Sequence, residues 1–568
     1  MTTSYRRARN TRLTVLGRAL AVALGVSLLA AGCGSGTPTA DSGGSSGGAS
    51  TAPSGSIEAS SPDTTAPVNG GTLTFAVAND PINLNPSGTG SGNDTWYVTR
   101  QIVDSLTEQD PATGEVIPWL AQSWQISDDA KSFTFTLRPG VTFSDGTPLT
   151  AAVVKANFDD IQAAGAKSSA IAALTGYQGT TVVDDATFTV VFSTPNAAFL
   201  QATSQVGLGP VALSTLAIPY DDRAGGQGVI GTGPFTVDHY TKNTEVVLNK
   251  RAGYDWGPKD RQHTGEAYLD QVTFKIVPEP GVRTGSLQSG QLQVIGGVAP
   301  QDIERLSGAG QELVIRPNPG VTFGLTGNES RPLVSDPAVR QAIGLAVNPQ
   351  DVVDTALNEN FKVATSVLGE NTPGWVDLSA DLVHDPEQAK SVLDAAGWTV
   401  GADGIRQKDG QRLHLVVAWI GNFGPNQTAL ELIQQQLKDV GIEIELVTGT
   451  VPDILAGQKD GKYDLTWGNL SRADGDVLRV QYSTKATNYA KIDDPALEEA
   501  LQAQQATADP AKRAAFQATA QKILIDKYYV IPVHELTTVL GTAPAVHGVV
   551  LGADSRLSQL TDAFVTTQ

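Results

Sequence analysis

The sequence predicts an α/β protein, because segments with strand and helix patterns alternate along the chain from about residue 70 onward. Residues 73–77 alternate apolar and polar side chains, which predicts a strand at the start of the folded body. Residues 150–165 carry apolar side chains at helical spacing and begin with Thr150, a suitable N-cap. Residues 426–446 predict a helix that leads directly into a strand. Elements mixed in this way pack as helices on sheets.

Further elements follow from local patterns. Residues 132–150 combine alternating β-forming residues, a Pro-Gly turn, a short second strand and an Asp-Gly-Thr-Pro stretch, which together predict a β-hairpin. Residues 347–357 and 385–398 predict two more helices. We find no internal repeat of about 20–50 residues, so the pattern does not indicate a solenoid or propeller.

Size and charge limit the classes of protein that the chain can belong to. Its 568 residues are 40% apolar and 17% charged, which suffices for a large core and for two or three domains. The formal net charge is −20. Nucleic acid requires a basic surface, so this charge argues against a nucleic-acid partner, and it favours solubility.

The single cysteine, Cys33, follows a basic stretch and then an apolar stretch. Residues 1–32 contain five arginines and no acidic residue, as a secretory signal does. The apolar run is shorter than the roughly 20 residues that a spanning helix needs. Ala30, Ala31 and Gly32 precede Cys33 and resemble the bacterial lipobox, although Ala30 occupies the usual leucine position. The resemblance implies a lipidated cysteine. An ordinary signal peptide with an incidental cysteine is the alternative.

Residues 33–69 consist almost entirely of Gly, Ser, Thr, Pro and Ala. Such a segment cannot repay the entropy of ordering, so we predict a flexible tether with an end-to-end distance of about 30–36 Å. Removal of residues 1–32 deletes five arginines and takes the net charge from −20 to −25. The expectation is a lipoprotein, acylated with palmitate or a similar chain, on the outer face of a bacterial cell membrane.

Motifs that would indicate an enzyme are incomplete. HELTT at 534–538 begins like a zinc-protease motif, but Thr538 stands where the second histidine is required. The Gly-Lys pair in 456–464 precedes Tyr463 instead of the Ser or Thr of a P-loop. The six histidines show no metal-ligand spacing. We therefore predict no catalysis, no metal site and no cofactor. An exported hydrolase is a remote alternative, and an adhesin would require repeats or an apolar patch.

Six segments in order along the chain resemble the family 5 extracellular solute-binding proteins, the peptide- and nickel-binding receptors of ABC importers. The most extensive, PWLAQSWQISDDAKSFTFTLRPGVTFSDGTPLTAAVV at 118–154, is similar to the signature region of that family. The resemblance covers roughly residues 70 to 550, which is the whole folded body. The remaining similar segments lie at 231–258, 269–294, 336–353, 385–398 and 440–468.

The resemblance implies a two-lobed periplasmic-binding-protein fold of type II, from the large class with an extra domain, and a ligand cleft between the lobes. Chain crossings near Val314 and Val533 would form the hinge. The implied role is to capture a peptide or small-molecule solute, as a monomer, and to deliver it to the transmembrane permease subunits and their ATPases. The implied domains are lobe I at 70–112, 229–310 and 535–568, the extra domain at 113–228, and lobe II at 311–534.

Clefts of this type are lined by aromatic planes and a few polar groups. In lobe I the candidates follow the opening strand, and in lobe II they lie at predicted strand ends and on strand-to-helix loops. Core packing is the alternative role for each tryptophan. The candidate ligand-binding residues are Asn79, Asp80, Asn85, Thr95, Trp96, Asn328, Trp419, Asn422, Trp467, Asn469, Arg472 and Asp474.

The segment TWGNLSRADGDVLR at 466–479 bears on the ligand class. In peptide-binding relatives this region carries an aspartate that pairs with the α-amino group of the peptide, and here that acid is shifted or missing. Arg472 offers a planar fork suited to a carboxylate, and the alternative is an internal ion pair with Asp474 or Asp476. A peptide is the leading ligand. Oligosaccharides, other polar metabolites and metal chelates are alternatives, whereas a bare nickel ion is disfavoured because no histidine cluster is present.

Overall fold

The computed structural model of the protein describes residues 65–421 and 423–566. The predicted signal, Cys33, most of the predicted tether and Asn422 lie outside the described residues. Three large sheets organise the body, with seven, five and four strands. Among the described residues no helix has the length and apolar character needed to cross a membrane.

The first sheet contains the opening strand, Thr72–Val77, which confirms the strand predicted over 73–77. This strand runs parallel to Gln271–Ile276 on one side and to Val294–Ile295 on the other. Leu73, Phe75 and Val77 are fully buried in the core beneath the sheet. In spatial order the strands are Glu312–Pro317, Thr537–Thr542, Val294–Ile295, Thr72–Val77, Gln271–Ile276, Glu245–Lys250 and Phe235–Thr241.

The second sheet is built around three parallel strands. His414–Ile420 runs parallel to Glu443–Gly449 and to Leu465–Ser471, so the carboxyl ends of all three meet at one edge. Helix Asn426–Asp439 buries Leu430, Ile433 and Leu437 against the sheet, and the strand that follows confirms the predicted helix-to-strand unit. In spatial order the strands are Glu443–Gly449, His414–Ile420, Leu465–Ser471, Gly320–Gly327 and Val530–His534.

The third sheet shows that the hairpin predicted over 132–150 is wrong. Strand Ser132–Leu137 pairs with Ala121–Ile126 and with Thr187–Phe192 instead of with the residues that follow the Pro-Gly turn. Those residues form only an isolated bridge, Thr142 to Pro148. The alternating pattern of 132–137 therefore reflects a central strand with distant partners, a choice that local turn signals do not reveal. The strand order is Ala121–Ile126, Ser132–Leu137, Thr187–Phe192 and Tyr177–Val182.

Smaller pairings and helices complete the body. Helix Ala151–Ala164 confirms the helix predicted over 150–165, with Thr150 at its N-cap position. The short strands are Thr107–Gln109 with Val116–Pro118, Thr399–Val400 with Arg406–Lys408 and Gln411–Arg412, and Val546–His547 with Phe564–Val565. The other α-helices are Asn93–Thr99, Phe199–Ala202, Leu213–Leu216, Pro280–Gln288, Pro300–Gly308, Pro337–Ala346, Pro349–Ala356, Pro386–Ala395, Val451–Lys459, Val477–Tyr482, Pro495–Gln505 and Pro510–Asp526. The 3₁₀ turns are Gly165–Lys167, Ile171–Leu174, Val206–Leu208, Tyr220–Gly225 and Ser379–Asp381.

Many helices around the second sheet begin with the same chemistry. A proline occupies the first turn, where its missing N–H leaves no donor unsatisfied. The side chain before it accepts a hydrogen bond from a backbone N–H of that turn. The residues that cap helices in this way are Asp336, Asn348, Asp385, Asp494 and Asp509.

The chain passes between the first and second sheets twice. The first passage is at 318–319, between strands Glu312–Pro317 and Gly320–Gly327, and the second is at 535–536, between Val530–His534 and Thr537–Thr542. The lobe boundaries themselves stay a prediction, although strand pairing assigns Glu312–Pro317 to the first sheet, whereas the predicted boundary at 311 would place it in lobe II.

A buried carboxylate ties distant segments of the first lobe together. Asp104 is fully buried and accepts hydrogen bonds from Tyr254 Oη at 3.1 Å, Trp256 Nε1 at 2.8 Å and Gln559 Nε2 at 2.6 Å. Burial raises the pKa of Asp104, and these donors oppose that rise. The carboxylate therefore joins the segment near 104 to two others, one of them more than 450 residues away along the chain.

We expect Asp104→Ala to lower the free energy of unfolding by about 3–5 kcal/mol, because it removes the nearest acceptor of three buried donors and leaves them only weaker contacts at 3.2–3.4 Å. Chemical denaturation measures this change. Asp128→Ala removes an exposed carboxylate of the same body and serves as the matched control, with a change within about 0.5 kcal/mol. Equal effects of the two substitutions would contradict the structural role of Asp104.

Candidate ligand-binding cleft

The two passages between the sheets lie side by side and define the seam of the molecule. The backbone N–H of Asn318 donates to the carbonyl oxygen of Leu536 at 2.7 Å. Arg472 belongs to the same region, because its backbone N–H donates to the carbonyl oxygen of Pro319 at 3.1 Å. The next residue, Ala473, accepts a hydrogen bond from Gln109 Nε2 at 3.0 Å. Residues 472–473 therefore run along the junction between the lobes.

A cavity of about 40 Å³ opens at this junction. Trp96 and Arg556 reach it from the side of the first sheet, and Arg472 reaches it from the end of strand Leu465–Ser471. Gln205 and Val206 form a further part of its wall. A group held here would contact both lobes at once.

Arg556 is fixed in place by three neighbours. Its guanidinium lies 4.0 Å from the centroid of the Trp96 ring, Nη1 lies 3.0 Å from Asp554 Oδ2, and Nε donates to Asn93 Oδ1 at 2.8 Å. Burial by itself would raise the pKa of Asp554, but the charges of Arg556 and Arg100 outweigh it and hold that pKa below its ordinary value. The stacked and paired geometry aligns the Arg556 side chain with the seam.

Arg472 has no carboxylate partner among the described residues. Its one side-chain hydrogen bond there runs from Nη1 to the carbonyl oxygen of Ser471, at 3.2 Å. Solvent reaches the side chain, yet the cleft walls displace much of its hydration. This desolvation, together with repulsion from Arg556, lowers the pKa of Arg472 to about 10. The guanidinium thus keeps free donors toward the cavity.

The internal ion pair considered for Arg472 does not form. Asp474 is buried and receives both guanidinium nitrogens of Arg513, one of them at 2.8 Å. Asp476 pairs with Arg479, whose Nε donates at 2.8 Å. Both candidate partners are engaged elsewhere, so the candidate Asp474 is placed as a brace of the loop, and any contact with a solute stays a prediction.

A second, larger cavity of about 300 Å³ adjoins the carboxyl edge of the second sheet. The candidates Trp467 and Asn469 line it, together with Tyr482, Tyr489 and Gln458. Aromatic faces with a few amide groups are the usual lining of a small-molecule pocket. This cavity is large enough for the body of a small solute, whereas the cavity at the seam holds only a single functional group.

The tryptophans combine core and wall roles. Trp467 is only 4% exposed, donates from Nε1 to Asn426 Oδ1 at 2.9 Å and stacks on Phe323 with ring centroids 5.7 Å apart. Trp419 lies opposite it on the adjacent strand and is half-buried against the same core. Core packing therefore accounts for most of the Trp467 surface, and one edge of the ring is left for the cavity.

The remaining candidates fasten loops near the cleft. Asn79 donates twice to Asp94 Oδ2, at 2.9 and 2.8 Å. Thr95 Oγ1 donates to the carbonyl oxygen of Pro81 at 2.7 Å, which fixes the turn before Trp96. Asp80 accepts hydrogen bonds from Tyr240, Asn243 and Ile82. Asn85 is buried beside Ser87. Asn328 donates to the carbonyl oxygen of Tyr463 at 3.2 Å. Whether these side chains contact a solute stays a prediction, and Asn422 lies outside the described residues.

Sequence reasoning missed the residues that complete the seam. Arg556 and Asp554 sit in an irregular segment with neither helical nor strand periodicity, and Gln109 and Gln205 look like ordinary surface amides. Pairing over more than 450 residues brings Asp554 and Arg556 to Trp96, and the two glutamines carry no feature that sets them apart, so no local signal could have found them. Within the described residues no group of three or more His, Cys, Asp or Glu side chains could hold a metal ion.

Comparison with known proteins identifies the class. A model of the bacterial extracellular solute-binding proteins, family 5, matches residues 115–490, and the chain belongs to this family of transport receptors. It is 28% identical over 416 residues to the nickel-binding periplasmic protein of Escherichia coli, which covers 68% of this chain and 74% of that protein. It is 27% identical over 497 residues to the dipeptide-binding protein of Escherichia coli, with 81% and 89% covered.

The solved structures agree on the fold. NikA from Brucella suis, in complex with Fe(III)-EDTA, superposes with a TM-score of 0.76 and 25% identity over 87% of this chain and 100% of that one. The two-lobed α/β fold expected from the sequence is thereby confirmed.

The larger cavity can be tested by filling it. Gly468 lines it, and a Cβ atom added there meets no atom within 4 Å, so a larger side chain can extend from this position. We expect Gly468→Leu to reduce the solute that co-purifies with the protein by about tenfold or more, with little change in melting temperature. Gly285→Leu, at a similarly open glycine on the exposed face of helix Pro280–Gln288, is the control. Mass spectrometry of the denatured, filtered protein measures the solute, and equal retention by both variants would remove this cavity from the site.

Proposed function

We propose that this protein is the lipid-anchored substrate-binding receptor of an ABC importer, which captures a small solute, foremost an oligopeptide, and delivers it to a permease. The observation that carries the proposal is the seam cavity, because Trp96 and Arg556 on one side and Arg472 on the other line a single space. A solute bound there gains contacts from both lobes only when they are closed. Such differential affinity is what shifts a receptor toward its closed state.

The edge of strand Leu465–Ser471 supports an extended ligand. Its partner His414–Ile420 pairs with it only as far as Trp467, so residues 468–470 have a strand neighbour on one side alone. An extended peptide can add to an exposed strand edge by main-chain hydrogen bonds, with side-chain pockets for specificity. The 300 Å³ cavity lies along the same residues. Peptide capture therefore uses an edge and a pocket that are already in place.

A non-peptide solute is the second candidate. Asp474 and Asp476, the acids nearest to Arg472 in sequence, both pair with arginines of the protein itself. A free α-amino group would find no unpaired carboxylate on this loop. A polar metabolite, an oligosaccharide or a metal chelate would not need one.

The anchor is tested by Cys33→Ser. We expect the substitution to abolish labelling with radioactive palmitate and to move the protein from the membrane fraction to the soluble one, because the acyl chains are its only proposed attachment. Ser35→Ala changes a neighbouring small residue and is the control. Labelling of the Cys33→Ser protein at the parental level would contradict the anchor.

Closure is tested by small-angle X-ray scattering of protein that has been stripped of solute by unfolding and refolding. The radius of gyration should decrease when the solute extracted from the native protein is added back. Gln109→Ala, which removes the 3.0 Å bond to Ala473 across the seam, should weaken binding by about 3- to 10-fold because it destabilises the closed form. Tight binding with an unchanged radius would contradict closure.

A further inference from the structure

The seam is rich in arginine although the protein as a whole is acidic. The net charge of the chain is −20. The seam cavity and a smaller neighbouring one share Trp96, Gln205, Val206, Asp554 and Arg556. Among the residues that line these two cavities, four are arginines and two are carboxylates: Arg100, Arg261, Arg472 and Arg556 against Glu108 and Asp554.

Three of these arginines have acidic neighbours within the protein, and Arg472 has none among the described residues. Arg261 lies 3.3 Å from Glu108 and 2.8 Å from Asp260, so its charge is paired within the first lobe. Arg100 donates to Ser105 Oγ and to the carbonyl oxygen of Ser204, each at 2.8 Å, and the charges of Glu108, Asp554 and Asp104 stabilise it without a direct hydrogen bond. Asp554 pairs with Arg556. Arg472 lines the same cavity as this pair and has no carboxylate partner among the described residues.

This arrangement is unfavourable without a ligand. Two guanidinium groups that line one cavity repel each other, and the cavity walls weaken the screening by water, although solvent still reaches the Arg472 side chain. Their mutual repulsion contributes to the lowered pKa of Arg472. An anion between them would convert the repulsion into two favourable interactions, opposed by the charge of Asp554, which also lines the cavity and is paired with Arg556.

We propose that Arg472 and Arg556 together clasp a carboxylate of the solute at the seam, so that the cargo is selected by its acid group and not by a free amine. This inference rests on the proposed receptor function and names its substrate class. A guanidinium presents its donors in a planar fork that matches a carboxylate. The cavity of roughly 40 Å³, lined by Trp96 and Val206 among others, has room for one small group such as a carboxylate.

In this geometry, binding of the solute carboxylate favours closure of the two lobes. Arg472 is carried by the second lobe and Arg556 by the first, so their repulsion grows as the lobes approach. A bound carboxylate offsets the repulsion between Arg472 and Arg556 only when both guanidinium groups contact it. Solutes that lack an acid would bind one lobe without favouring the closed form.

The test uses three pools of the small-molecule fraction of yeast extract: untreated, acetylated to cap amines, and methyl-esterified to cap carboxylates. Stripped full-length protein is incubated with each pool and filtered, and the retained compounds are quantified by mass spectrometry. We expect compounds to be retained from the untreated and acetylated pools and to fall at least about tenfold in the esterified pool.

Variants assign the effect to the seam. Arg472→Gln should reduce retention from the untreated pool by about tenfold or more, and the stripped variant should melt at the parental temperature or above it, because a repulsion has been removed. Arg412→Gln makes the same change of charge on the surface of the second lobe, where Arg412 pairs with Asp403 and Glu443, and should retain compounds as the parent does.

The outcomes separate the two proposals. Retention that survives esterification, or that Arg472→Gln leaves unchanged, would overturn the carboxylate clasp while the receptor role stands. Retention lost by acetylation would show amine recognition instead, which also overturns it. Failure of the parent to retain any compound from any pool would overturn the receptor role, and the clasp with it.

Discussion

The rest of the site depends on the hydrogen bond between Asn318 and Leu536, which holds the two passages of the chain side by side. The bond is 2.7 Å long, and Thr538 Oγ1 adds a second link by donating to Asn318 Oδ1 at 2.9 Å. Each passage is only two residues long and is flanked by strands built into different sheets. Rotation about this line leaves both sheets intact, because the first and second sheets have no strand in common. The side chains that line the seam therefore change neighbours when the lobes rotate.

Arg472 has no acidic partner because the two nearest aspartates form ion pairs with other arginines. Arg513 binds Asp474 through both of its terminal nitrogens, and Arg479 binds Asp476. Breaking a buried pair of this kind is costly, since it strands a charge away from water. Asp474 and Asp476 therefore stay paired with Arg513 and Arg479, and the charge of Arg472 is not balanced by either acid. A local sequence rich in aspartate produces, after folding, a positively charged spot in the cleft.

Sequence patterns predicted those parts of the structure that depend on neighbours along the chain. The opening strand, helix Ala151–Ala164 and the helix-to-strand unit near 426–446 each bury a face set by their own periodicity. The hairpin over 132–150 failed because the partners of strand Ser132–Leu137 come from other segments. In the site, Arg472 could be singled out from its residue type and position. That it does not pair with Asp474 could not be predicted, because Asp474 is bound by Arg513, which lies 41 residues after Arg472. Arg556 could not be found at all, because its role depends on Trp96, at the other end of the described body.

The discontinuity of the first lobe has a consequence for the order of folding. Gln101 Nε2 donates to the carbonyl oxygen of Ser558 at 3.0 Å, and the backbone N–H of Leu560 donates to Gln101 Oε1 at 2.8 Å. Residues near 100 and near 560 thus complete one core together, whereas all strands of the second sheet lie within 320–534. Contacts over such separations carry a large loop-closure cost, so they form late. During synthesis or passage through a membrane, the second lobe can mature while the first still exposes unfinished apolar surface. A chaperone that protects the chain at that stage would act on the residues around Val98 and Ile102, which await their C-terminal partners.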